Sequence, residues 1–86
     1  MKLHLLFTES ELLYDLLEYN QDSLSTLFDT YQIEVEIDLH TAIKLLDYLS
    51  PYENGKNIPS VIRCYDECVP QLASKIRTAI RYGSGS

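Results

Sequence analysis

The stretch Ile33-Glu34-Val35-Glu36-Ile37-Asp38 decides the fold class of this chain. Apolar and acidic residues alternate through it, and a period of two places successive side chains on opposite faces of a β-strand. We therefore predict a half-buried strand, with Ile33, Val35 and Ile37 in the core and the acids facing solvent. This strand distinguishes the chain from an all-helical bundle.

Helical periodicity dominates the residues before this strand. After a short apolar segment, Lys2 to Phe7, that predicts a first strand, Thr8 and Glu11 have the spacing of a capping box and predict a helix that ends near Asn20. Asp22 or Ser23 can cap a second helix. The predicted apolar stripes are Leu12, Leu13, Leu16 and Leu17 in the first helix and Leu24, Leu27, Phe28 and Tyr31 in the second.

Two further helices are predicted after the strand. Asp38 can cap one that Ser50-Pro51 stops, and an Asn54-Gly55 turn follows. The segment from Val61 to Tyr65 fits either a strand or a helix. The last helix begins near Cys68, with Pro70 tolerated in its first turn. The predicted apolar stripes are Leu39, Ala42, Ile43, Leu46 and Leu49, and then Val69, Leu72, Ala73, Ile76 and Ile80.

These elements predict an α+β fold, with about four helices packed on a small sheet of two or three strands. With 86 residues the chain has the size of one domain. We assign residues 1–82 to that domain and interpret Gly83 to Ser86 as a linker tail outside it.

Charge is unevenly distributed along the chain, whose formal net charge is −6. Eleven acidic and two basic residues lie between Met1 and Gly55, whereas two acidic and five basic residues follow. Most of the surface should repel nucleic acid, since affinity for it comes largely from Lys and Arg on phosphates. A protein partner with a basic surface should be attracted.

Cys64 and Cys68 are the only cysteines, and we predict that both are buried thiols in a reducing, cytoplasmic protein. Their spacing could also seat half of a metal site, completed by His4 and His40, or support redox chemistry. We expect His4 on the polar face of its strand. The sequence has no glycine-rich phosphate loop, and we expect neither a signal peptide nor a membrane span. We also predict no catalytic residue, cofactor or metal.

Two acidic rows are the candidate partner-binding residues. One follows the strand and the other lies on one face of the first helix. Tyr14 and Tyr52 accompany them, because together with Tyr48 they fall off the apolar stripes and tyrosine is enriched at interfaces. Charged residues on an edge strand also prevent aggregation, so the strand row has a second interpretation. The rows are Glu34, Glu36 and Asp38, and Glu11, Asp15 and Glu18.

The segment Thr8-Glu9-Ser10-Glu11-Leu12 resembles the first helix of colicin DNase immunity proteins, which are also small and acidic. Their paired-tyrosine motif is absent, since Tyr52 has no tyrosine neighbour. The strand from Ile33 to Ile37 also departs from their all-helical fold. No residue role is therefore transferred from that family.

The predicted function is non-catalytic protein binding, as in an inhibitor, an immunity protein or a phage counter-defence protein. The alternative is a self-associating accessory subunit, in which a basic face of Lys75, Arg77 and Arg81 on the last helix meets the acids of another copy. A small metal or thiol enzyme, and a nucleic-acid binder using that basic helix, are the remaining alternatives.

Overall fold

The computed structural model describes residues 1–29 and 33–84, with side chains described to residue 82. The described part contains two strands, β1 (Lys2–His4) and β2 (Glu34–Glu36), and three α-helices, α1 (Phe7–Tyr19), α2 (Leu39–Leu49) and α3 (Cys68–Ser84). Three 3-10 helices connect them: η1 (Ser23–Leu27), η2 (Ser50–Tyr52) and η3 (Ser60–Tyr65). The predicted α+β fold is confirmed.

The sheet is an antiparallel pair of β1 and β2, in which Leu3 lies opposite Val35. Both of these side chains are buried, so this face of the sheet covers the core. The acids of β2 are exposed as predicted. Ile33 is 63% exposed, and its predicted burial is wrong, because the regular alternation begins only at Glu34 and Ile33 lies in a bend before the strand.

Helix α1 begins at Phe7, two residues earlier than a cap at Thr8 would place it. Leu6 occupies the N-cap position, and the Glu9 carboxylate accepts a hydrogen bond from the Leu6 N–H at 2.8 Å. The acid three residues after the cap is therefore Glu9, and the predicted pairing of Thr8 with Glu11 is wrong. Asn20 ends the helix as predicted.

The second predicted helix is a single short 3-10 segment, η1. Asp22 caps it, and its Oδ1 accepts from the Leu24 N–H at 2.9 Å. Phe28 is buried as predicted, whereas Leu27 is exposed, because a 3-10 helix turns faster than the α-helical spacing assumed for the stripe. The predicted core position of Tyr31 lies outside the described residues.

The buried side of α2 is rotated relative to the predicted stripe. Asp38 caps this helix as predicted, accepting from the Thr41 N–H at 2.7 Å. Leu39 and Ile43 are exposed, and Leu45, which the predicted stripe omitted, is fully buried. The shift follows from the docking of α2 against α3, which selects the side centred on Ala42, Leu45 and Leu49.

The ambiguous segment from Val61 to Tyr65 is the 3-10 helix η3, and it contributes Ile62 to the core. Helix α3 then begins at Cys68 with Pro70 in its first turn, as predicted. It extends through Ser84, two residues past the predicted end of the domain. Its predicted apolar stripe is confirmed, with Val69, Leu72, Ala73 and Ile76 fully buried and Ile80 partly buried.

One hydrophobic cluster joins side chains from all three α-helices and both strands. None of the helices in the described part of the chain has the length and apolarity needed to cross a membrane.

Candidate functional site

The structure separates the candidate residues into two surfaces. Glu11, Tyr14, Asp15 and Glu18 stand three and four positions apart on α1 and form one stripe, which we call the acidic face. Its first three members are half-buried and Glu18 is exposed. The residues Glu34, Glu36 and Asp38 follow β2 and are all exposed; we call them the strand row. Tyr52 belongs to neither surface, since it lies in η2, packed against the core.

Hydrogen bonds hold the acidic face in place without neutralising it. The Tyr65 hydroxyl donates to Glu11 Oε2 at 2.8 Å, and the Ser25 hydroxyl donates to Glu18 Oε1 at 3.3 Å. Burial raises the pKa of Asp15, and the neighbouring Glu11 charge raises that pKa further. Within residues 1–29 and 33–82, no Lys or Arg forms an ion pair with these carboxylates. The acidic face therefore carries uncompensated negative charge.

The strand row, by contrast, is largely engaged within the fold. Lys2 Nζ lies 3.2 Å from Glu34 Oε1, and the Met1 amino group lies 3.3 Å from Glu36 Oε1. The Asp38 carboxylate caps α2, and the hydrogen bonds from Thr41 lower the pKa of Asp38. The row exists as predicted, but each of its three carboxylates already has a donor.

A polar cluster around Asp22 was not predicted from the sequence beyond its role as a cap. The Tyr48 hydroxyl donates to Asp22 Oδ2 at 2.6 Å, and Lys44 Nζ lies 2.9 Å from the same oxygen. The Tyr48 hydrogen bond, followed by those from the Leu24 N–H and Lys44, lowers the pKa of Asp22 to about 2. With all its oxygens occupied, this carboxylate joins η1 to α2 and is a structural group.

A second cluster missed from the sequence is centred on Glu9, whose side chain is fully buried. Its carboxylate accepts from the Leu6 N–H, from Gln71 Nε2 at 3.2 Å and from Lys75 Nζ. Arg77, on α3 like Lys75, makes a bidentate contact with Glu53, which directly follows η2. Two of the three cations in the predicted basic face are thus committed inside the molecule, and Arg81 is the one without such a contact among the described residues.

The cysteines do not match their predicted environment. Cys64 is exposed and Cys68 is half-buried, with its thiol donating to Thr8 Oγ1 at 3.7 Å. The predicted burial of Cys64 is wrong because η3 places Ile62 inward and leaves Cys64 on the outer side, whereas Cys68 is partly buried and packs against the core. In the described part of the chain no three His, Cys, Asp or Glu side chains converge to hold a metal ion. His4 lies on the exposed face of β1 as predicted.

Comparison with known protein families, with curated proteins and with solved structures finds no match to this chain.

Proposed function

We propose that this chain is a non-catalytic protein-binding domain whose acidic face engages a basic surface on a protein partner, in the manner of an inhibitor or an immunity protein. The carrying observation is the distribution of ion pairs. Four of the described Lys and Arg side chains are bound to carboxylates elsewhere in the fold, at Glu34, Asp22, Glu9 and Glu53. Among the described side chains, none of the Lys or Arg residues forms such a pair with the acidic face.

The physical consequence is a local field that a partner can use. Uncompensated negative charge at a surface attracts a basic protein and raises its association rate. Salt at physiological concentration weakens this attraction at distances beyond the Debye length of about 8–10 Å. The half-buried Asp15 gains most from a partner's cation, because its ionised form is the one that burial and Glu11 disfavour. Tyr14 supplies aromatic surface at the centre of the same stripe.

The experiment uses a lysine-rich peptide as a defined basic probe and two-dimensional amide NMR of the whole chain. We expect shift changes at Glu11, Tyr14, Asp15 and Glu18 that weaken as salt is added. Larger shifts at Glu34 and Glu36 would move the proposal to the strand row, and uniform small shifts would remove it.

A charge-matched pair of variants then separates local from overall charge. Asp15→Lys with Glu18→Lys changes the acidic face, whereas Asp29→Lys with Asp47→Lys makes the same net change at exposed acids outside it. We expect the first pair to abolish the salt-sensitive shifts and the second to weaken them only slightly. Equal effects would mean that net charge alone attracts the probe.

The self-association alternative receives less support from the contacts. On α3, Lys75 is paired with Glu9 and Arg77 is paired with Glu53 within the same molecule. Of the predicted basic face, only Arg81 therefore remains to meet the acids of another copy. Sedimentation at high micromolar concentration and low salt checks this directly, and we expect a monomer.

A further inference from the structure

The hydrogen-bonding alternation of β1 leaves one edge of the sheet open. The Ile37 N–H donates to the Met1 carbonyl at 2.9 Å, and the Leu5 N–H donates to the Ile33 carbonyl at 2.6 Å. In an antiparallel pair the residues that exchange such bonds alternate with residues whose N–H and C=O point the other way. Lys2 and His4 are the residues of the second kind, so their backbone groups point away from β2.

A groove lies along this open edge. All three residues of β1 line it on one side, and α3 lines it on the other through Lys75, Thr78, Ala79 and Tyr82. The four helical residues stand three and four positions apart, so they lie on one face of α3 and form a single wall of the groove. The groove has a volume of about 410 Å³ and mostly apolar walls. Within the described residues, the backbone N–H and C=O groups of Lys2 and His4 have no hydrogen-bond partner.

We propose that this groove binds an extended acidic peptide segment of a partner protein, which adds to the edge of β1 as a third strand. Addition of a strand to an open sheet edge supplies affinity through main-chain hydrogen bonds and specificity through alternate side chains. This surface is distinct from the acidic face, and the proposal does not depend on the function proposed for that face.

The acidic character of the occupant follows from register. A strand hydrogen-bonded to Lys2 and His4 places its own residues directly opposite them, with side chains on the same exposed face of the sheet. The Lys2 and His4 side chains are 63% and 76% exposed despite their contacts with Glu34, so a second carboxylate can reach both. The pattern acid–apolar–acid is therefore the one that fits.

The same register disfavours a second copy pairing β1 with β1, because Lys2 of each copy would lie opposite His4 of the other. Pairing with β2 of a second copy satisfies the charges, so the mass of the chain without peptide is part of the test below.

The probe is the acetylated and amidated pentapeptide Ile-Glu-Val-Glu-Ile, which has the sequence that already pairs with the other edge of β1. Binding to the whole chain is followed by amide NMR, and we expect shifts at Lys2, His4, Thr78 and Ala79. A peptide N-methylated at both glutamates should lose binding, since those N–H groups face β1. A peptide N-methylated at the valine should keep it, and Ile-Lys-Val-Lys-Ile should not bind.

Two protein variants complete the test. Thr78→Glu places a charge in the groove, whereas Ser74→Glu makes the same net change at an exposed position of α3 outside it. We expect Thr78→Glu to lower the affinity for the peptide about tenfold, and Ser74→Glu to change that affinity less than about twofold. Equal weakening by both variants, equal binding of both methylated peptides, or no shifts at millimolar peptide would overturn the proposal. A concentration-dependent increase in mass without peptide would assign the groove to a second copy instead.

Discussion

Lys75 reaches from α3 to the fully buried carboxylate of Glu9 on α1, so one ion pair joins residues 66 positions apart in the chain. The Lys75 side chain retains 31% of its exposure, which allows its ammonium group to stay partly hydrated while Glu9 is withdrawn from water. Such a pair is sensitive to the loss of one partner, because the other charge is then left buried and uncompensated.

Replacement of Lys75 by methionine tests this dependence. We expect the free energy of unfolding to fall by about 3–5 kcal/mol, since the Leu6 N–H and Gln71 remain but no cation does. Arg77→Met is the matched control on the same helix. Its pair with Glu53 is more exposed, so we expect a loss of at most about 1 kcal/mol. Urea unfolding measures both, and similar losses would contradict the special role of the buried pair.

Asp22 makes the free energy of unfolding depend on pH. Its pKa falls from 3.8 to about 2 in the folded state, first through the Tyr48 hydroxyl. A lowered folded-state pKa stabilises the fold above the unfolded value, and this contribution disappears as pH falls from about 4 to about 2. Asp22→Asn keeps the capping oxygen but lacks the charge. We expect its deficit in stability to be present at pH 6 and to vanish near pH 2.

Tyr48→Phe provides the control for that pH dependence. Removal of the hydroxyl should raise the pKa of Asp22 in an NMR titration, because the largest cause of its depression is gone. If the pKa does not move, the Leu24 N–H and Lys44 rather than Tyr48 hold the carboxylate ionised.

The apolar stripe of α3 predicts a graded pair of truncations. Ile76 is fully buried and Ile80 only partly so. We expect Ile76→Ala to cost about 2–5 kcal/mol, and Ile80→Ala clearly less, because the cost rises with the cavity that remains. Thermal and urea unfolding of both variants check the order. An equal cost would mean that the end of α3 packs more tightly than its exposure indicates.

The two cysteines should differ in reactivity. Cys64 is exposed, whereas Cys68 is half-buried with its thiol directed to Thr8. We expect a maleimide reagent to modify Cys64 first, with the order of modification read by peptide mass spectrometry. Cys64→Ser should change stability by no more than about 0.5 kcal/mol, as for other surface substitutions. Faster modification of Cys68 would contradict the placement of η3.

Local sequence was sufficient for the features that depend on neighbouring residues. Asp38 is predicted as a cap, and Asp22 is one of two candidate caps with Ser23, because a short side-chain acceptor before an apolar stripe satisfies the first N–H groups of a helix whatever lies around it. The alternation of apolar and acidic residues was enough to predict the strand row. The helical spacing of apolar residues was enough to predict the buried stripe of α3. In each case the period of the pattern matches the period of the element.

The errors arise where the period changes or where a distant element decides. Leu27 is misplaced because 3-10 helices have three residues per turn, and the α-helical template does not describe them. The predicted burial of Cys64 rests on the apolar character of a free thiol, which does not determine the side of η3 on which the residue lies. The burial of Glu9 depends on Lys75 and Gln71, which approach only after α3 has docked. The distribution of free charge over the acidic face has the same origin, because it depends on where each Lys and Arg finds its carboxylate.

The pairing of β1 with β2 has a consequence for the order of folding. Its hydrogen bonds join residues up to 36 positions apart, with the whole of α1 and η1 in between. Closing so long a loop costs conformational entropy, and two three-residue strands form only a few hydrogen bonds to offset that cost. Helices α2 and α3 are in extensive contact and are joined by a shorter connection, residues 50–67, than the one between the two strands, residues 5–33. We therefore expect the helical hairpin to form in the transition state and the sheet to assemble after it, so that truncating Leu45 slows folding whereas truncating Val35 mainly accelerates unfolding.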